Sequence, residues 1–150
     1  MRFTDYLSED CICPDLTARD RGGVLHELAG MLAASTRTPR QQLEEQLVAR
    51  ERISSTAIGE GVAIPHGKLP GLTNLVAAFG VSRQGVDFEA IDGKPTHLFF
   101  ALVAPENSAG VHLKALARIS RLFKNPRFRA SILEAASAAD IHALIVQEDA

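Results

Sequence analysis

The sequence predicts an α/β fold, a mixed β-sheet covered by helices on both faces, in a single domain spanning residues 1–150. Three observations carry this reading. Leu75–Val81 and Leu98–Val103 are almost continuously apolar, as strands covered on both sides are. Elsewhere apolar residues recur with the 3.6-residue period of a helix buried along one stripe. The two patterns interleave, with helices before, between and after three or four strands, so the helices form layers against a sheet.

Composition limits what such a domain does. Hydrophobic residues make up 46% and charged residues 23% of the 150, and no tract is of low complexity, which excludes disorder. Sixteen Lys and Arg face 18 Asp and Glu, for a net charge of −2. No basic stripe with interleaved aromatics appears, so nucleic acid is not an expected partner. The start, Met1–Tyr6, lacks the apolar run of a signal peptide, and no segment approaches the roughly 18 apolar residues of a membrane span. The expectation is a cytoplasmic protein without direct membrane insertion.

Along the chain, residues 1–8 hold a short helical turn and Cys11–Leu16 an edge strand limited by Pro14. Cys11 and Cys13 are too close for a comfortable disulfide and are half a metal site at most; on an extended segment both thiols share one face and serve packing. Val24, Leu25, Leu28, Met31 and Leu32 mark a helix over about 20–35, with His26 beside the stripe in a solvated or capping role. Thr38-Pro39-Arg40-Gln41 reads as the next helix start, with Thr38 as cap, Pro39 in the first helical position and Gln41 completing a capping box. That helix runs to about Arg50, where Arg50 and Arg52 complement its dipole.

Next comes Ile58-Gly59-Glu60-Gly61-Val62-Ala63-Ile64-Pro65-His66-Gly67-Lys68. A short strand, Val62–Ile64, is stopped by a proline without an amide donor, and the stop presents His66 at a strand end. By spacing alone His66 is equally a junction residue satisfying local hydrogen bonds or an accessible reactive imidazole. A phosphate-binding P-loop is excluded: five residues, not four, separate Gly61 from Gly67, and Leu69 stands where a Ser or Thr is required. After the Pro70-Gly71 turn come the strand Leu75–Val81, a Gln84-Gly85 turn, an extended piece from Val86 to Phe88 and a turn at Asp92–Pro95. Thr96–Val103 is the expected central strand, with His97 a strand-end residue. Pro105–Gly110 opens a helix with His112 in or beside its first turn and Leu113, Leu116, Ile119 and Phe123 inward. Asn125-Pro126 caps another helix that buries Phe128 and Ile132, and Ser137–Asp140 starts a last one with Ile141, Leu144 and Ile145 inward and His142 outward.

The segment Ile58–Lys68, continued by Phe88–Pro95, Leu98–Leu102 and His112-Leu113-x-x-Leu116, resembles the fructose/mannitol-type enzyme IIA domains of the bacterial sugar phosphotransferase system, and among them the nitrogen-regulatory IIA branch. The resemblance covers most of the chain. It implies that His66 accepts a phosphoryl group from a histidine-containing phosphocarrier protein. It also places His112 and Arg50, the latter in the family's Arg-Glu pair, at the phosphoryl site as stabilising groups. In the regulatory branch the phosphorylation state is read by partners such as potassium-transport regulators; in transport relatives the group passes to a cysteine of a IIB domain. The segment Phe88–Pro95 is closer to the regulatory branch.

The chemistry suits these residue types. Neutral imidazole is plentiful near pH 7 and offers a lone pair. Phosphoryl transfer asks chiefly for positioning and charge stabilisation, which an imidazole at a helix N-terminus and a forked guanidinium provide. Neither a cofactor nor a metal is expected. Two other classes compete: a zinc hydrolase using His66, His97 and His112, disfavoured because no pair has i, i+4 ligand spacing, and a non-catalytic binding module of the same fold.

Overall fold

In the computed structural model residues 2–149 are described. Short 3₁₀ turns at Phe3–Asp5 and Glu9–Cys11 lead into β1 (Ile12–Cys13), followed by α1 (Arg21–Thr36) and α2 (Arg40–Ile53). Then come β2 (Ala57–Gly59), β3 (Val62–Ala63), β4 (His66–Leu69), β5 (Val76–Val86) and β6 (Thr96–Pro105). Three helices close the chain: α3 (Ala109–Leu122), α4 (Pro126–Glu134) and α5 (Ala138–Asp149). The sheet order is β1-β5-β6-β3-β2, with β4 also paired to β6. Its β5–β6 and β2–β3 pairs are antiparallel and the others parallel, so the sheet is mixed.

The expected central strand is central: β6 pairs with β5 along one edge and with β3 and then β4 along the other. Its consecutive phenylalanines point to opposite faces, as strand alternation requires. Phe100 meets Phe3, Phe79 and Phe123 on one face, while Phe99 meets Phe88 on the other. Both faces are therefore packed, and helices cover them. α1 and α2 lie against each other and reach β5 and β4, and α5 lies by β1 and the N-terminal turns. Asp149 in α5 accepts the Phe3 amide (2.7 Å) and the Arg118 Nε–H (2.6 Å), tying the two ends of the chain to α3. None of the described helices is long and apolar enough to cross a membrane.

Local sequence explains most boundaries. Asp20 caps α1 by accepting the Gly23 amide at 2.7 Å, and Asn125 caps α4 ahead of Pro126 by accepting from Arg127. Several expectations are corrected. Thr38 does not cap α2. Pro39 holds the cap position, its carbonyl taking the Gln42 amide at 3.1 Å, so no capping box forms, and the helix continues past Arg50 to Ile53. Gln84-Gly85 is not a turn: β5 passes through both residues with a register shift before Val86. The irregularity follows from close packing, because a Cβ on Gly85 (φ 84°) would lie 2.8 Å from the His97 ring and from Pro95. The edge strand is only two residues long, and Cys11 lies in a 3₁₀ turn before it, buried, its thiol 2.8 Å from the Ser35 hydroxyl. Cys13 is half-buried and unpaired. On α3 the buried stripe is His112, Ala115, Ile119 and Leu122, leaving Leu113 67% exposed. His26 is solvated, one of the two roles expected for it, with its Nδ1 2.9 Å from Glu44 on α2.

Gly80 is a second position in β5 with little room for a side chain. A Cβ there would sit 2.8–2.9 Å from the Leu16 side chain. Leu16 is buried and its amide donates to the Val81 carbonyl at 2.8 Å, so its main chain stays in place and only its side chain can shift. Gly80→Ala should therefore cost about 1–3 kcal/mol by overpacking, read as a lower urea midpoint with an unchanged slope.

Candidate functional site

Pro65 interrupts one edge of the sheet without displacing the chain from it. β3 pairs in parallel with Leu98 and Phe99 of β6; Pro65 donates nothing, but its carbonyl accepts the Leu102 amide at 2.9 Å; β4 then resumes with His66 opposite Leu102. His66 is thus the first residue of a strand seated on β6, not the free end of one, and it is half-buried. Ile64 turns away from β6 toward Thr56, whose amide goes to Glu51, so the Ile64 carbonyl is free, and His66 Nδ1 lies 2.7 Å from it. A carbonyl only accepts, so Nδ1 carries the proton and Nε2 is the bare nitrogen.

His112 arrives from the first turns of α3, where its amide closes onto the Ser108 carbonyl (2.9 Å). Its ring stands edge-on to His66, centroids 5.4 Å apart at 76°. Only 6% of the residue is exposed, and its buried Nε2 has no hydrogen-bond partner. An orphaned polar nitrogen in such a place is costly unless a ligand meets it. Arg50, in the last turn of α2, donates from a guanidinium nitrogen to the Ser54 carbonyl at 2.9 Å. The helix-end role is therefore real, and the same guanidinium lines the cleft holding both imidazoles.

That cleft is about 520 Å³, open to solvent, and brings together Arg50, Ile53, His66, Lys68, His112 and Leu113. The three residues expected to act together do meet there. His97 does not: its Nδ1–H donates to the Ser82 carbonyl (2.9 Å) and it lies outside the cleft lining, so the three histidines of the hydrolase reading are not assembled. Among the described residues no group of three or more metal-ligating side chains forms. Lys68 was not anticipated from sequence, although strand alternation puts it on the His66 face once β4 is known to continue past Pro65. Ile53, 80% exposed, and Leu113 give the cleft an apolar rim that helix periodicity alone does not disclose.

Both imidazoles are held neutral. Burial, aided by the Arg50 charge, holds the His66 pKa below its ordinary value, against the opposing pull of its bond to the Ile64 carbonyl and of Glu51. Burial first, then His66 and Lys68, push His112 down to about 4. A bare nitrogen, a second neutral imidazole and two cations around an open cleft form a nucleophile beside an anion-holding pocket.

The fold is that of a phosphotransferase component: the chain belongs to the family "Phosphoenolpyruvate-dependent sugar phosphotransferase system, EIIA 2", whose sequence pattern matches residues 5–148. Within it, the nitrogen regulatory protein of Bradyrhizobium diazoefficiens is 42% identical over 125 residues, covering 83% of this chain and 82% of that protein. The fructose-specific EIIABC component of Bacillus subtilis is 39% identical over 150 residues, but they amount to only 24% of its length against 99% of this chain. The crystal structure of the nitrogen regulatory protein IIA-Ntr from Neisseria meningitidis superposes with a TM-score of 0.91 at 33% identity, covering 95% of this chain and 98% of that one. IIA mannitol from Escherichia coli, at 16% identity and a TM-score of 0.78 over 93% of this chain and 98% of its own, shares the fold.

The neutral state of His112 has a thermodynamic signature. With a native pKa of about 4 against an ordinary 6.5, the unfolded chain binds more protons between those values. Stability therefore rises with pH across that window, is fully present above 6.5, and is lost as pH falls toward 4. Urea midpoints measured from pH 7 to pH 4 should fall less steeply for His112→Gln than for the parent.

Proposed function

We propose that this chain is a phosphoryl carrier of the nitrogen-regulatory kind, with residues 1–150 serving as one domain. It accepts a phosphoryl group on His66 Nε2 from a histidine-containing phosphocarrier protein, and its phosphorylation state regulates partner proteins such as potassium-transport regulators. The observation that carries this reading is the His66 Nδ1–H···O=C bond to Ile64, which dedicates Nε2 to the nucleophile's role. The nitrogen-regulatory relative, matched over most of its length, and the IIA-Ntr structure support this branch. A carrier of this type works in the cytoplasm, where its partners are.

The transfer balances without a lost proton. The Nε2 lone pair attacks phosphorus as the phosphorus–nitrogen bond of the donor's phosphoimidazolium breaks, and that electron pair returns to the donor ring, leaving it neutral. His66 becomes the phosphoimidazolium, still holding its Nδ1 proton against Ile64. Arg50 stabilises the phosphoryl charge with a charge-assisted contact, and His112 donates a ring hydrogen bond to a phosphoryl oxygen. The apolar rim at Ile53 and Leu113 gives a partner dry surface around the polar centre.

A second reading has its own support. The match to the fructose-specific EIIABC component favours onward transfer to a IIB cysteine. A solved complex joins IIA mannitol to phosphorylated IIB mannitol of Escherichia coli.

Incubation with phosphoenolpyruvate, enzyme I and a phosphocarrier should add one phosphoryl mass, with phosphorus–nitrogen NMR couplings that identify Nε2. His66→Ala should remain folded and unlabelled, and His112→Ala should label slowly, at His66 only. Labelling of a folded His66→Ala protein removes the assignment, and no labelling of the parent leaves the binding-module reading. Onward transfer to a IIB cysteine distinguishes the transport branch.

A further inference from the structure

Glu51 is one of two buried acidic side chains among the described residues, 4% exposed. The other, Asp149, is paired with Arg118. Glu51 instead gives both carboxylate oxygens to Thr56, accepting its amide at 2.7 Å and its hydroxyl at 2.6 Å. Burying a carboxylate without a cation is costly, and an apolar side chain would fill the space at the end of α2 more cheaply. The carboxylate does something packing does not.

From Thr56 two arms lead to the cleft. Within the loop that the Glu51–Thr56 bonds close, Ser54 presents the carbonyl on which Arg50 rests (2.9 Å). In the other direction the Thr56 carbonyl accepts the Ile64 amide (3.0 Å), and the Ile64 carbonyl holds His66 Nδ1 at 2.7 Å. Arg50 and His66, on a helix and a strand that share no direct hydrogen bond, are referred to one anchor.

We infer that Glu51, acting through Thr56, is a positioning residue that sets the reach of Arg50 to a phosphoryl group on His66. The inference rests on the reading of Arg50 as a phosphoryl clamp. Glu51 itself never touches the group, and its contribution to transfer is realised only through the Arg50 contact.

A double-mutant cycle tests this. Arg50→Lys and Glu51→Ala should each slow phosphoryl uptake from the phosphocarrier by roughly ten- to a hundredfold, the worth of one charged hydrogen bond. The double variant should be no slower than the slower single one. Glu51→Gln, which still accepts one Thr56 bond and can donate the other, should run close to the parent rate. Losses that multiply, an unrescued Gln variant, or a Glu51→Ala protein at parent speed beside a slow Arg50→Lys overturn the inference while leaving the clamp in place. Parent-like transfer by Arg50→Lys removes the clamp, and the inference falls with it. Should Glu51→Ala fail to fold, Thr56→Val carries the same comparison, with urea midpoints separating lost stability from lost transfer.

Discussion

One edge of β6 carries two strands in succession, and the carbonyl just before the proline that joins them holds the reactive ring. A continuous strand would give the amide at position 65 to the β6 ladder, while Ile64, facing the other way, would pair with Thr56 through both its amide and its carbonyl. Pro65 has no amide to give, so the ladder skips while the chain keeps its line, and because the Thr56 amide goes to Glu51 the Ile64 carbonyl is left over beside His66. That carbonyl selects the tautomer of His66. The remaining site geometry is referred to this fixed ring: α3 brings His112 edge-on to it, and α2 brings Arg50 to the rim. Phe99 and Phe100, packing β6 from both faces, make the edge rigid enough to matter.

Electrostatically the cleft is prepared for an anion it does not itself contain. Burial keeps both imidazoles neutral, so neither repels Arg50 or Lys68, and the cations remain available for a ligand's charge. A phosphoryl group would reverse the field at His112, favouring proton donation from the ring that burial had kept uncharged.

Much of this was legible in the residues. Apolar runs located β5 and β6, the Asn125-Pro126 cap located α4, and the eleven-residue segment around Pro65 with its resemblance named the three side chains that share the cleft. What stayed hidden depended on tertiary contact. Gln84-Gly85 looks like a turn because Gly85 permits a left-handed backbone, but the residue is there to let His97 approach. Leu113 looks like core by period, yet α3 turns His112 inward instead and leaves Leu113 at the cleft mouth. Lys68 and Glu51 were invisible for the same reason: one needed the strand to continue past its breaker, the other a partner across a loop.

The bond between the His66 ring and Ile64 also bears on what the carrier reports. In the proposed exchange the ring keeps its proton before, during and after the transfer, and a phosphorus–nitrogen linkage is traded for another of the same kind. Such an exchange is nearly thermoneutral and blind to small changes in cellular acidity. Under the proposed function the fraction of molecules carrying phosphate mirrors the charged fraction of the donor pool, as a gauge follows a reservoir, and a partner that distinguishes the two forms reads that pool without a separate sensor.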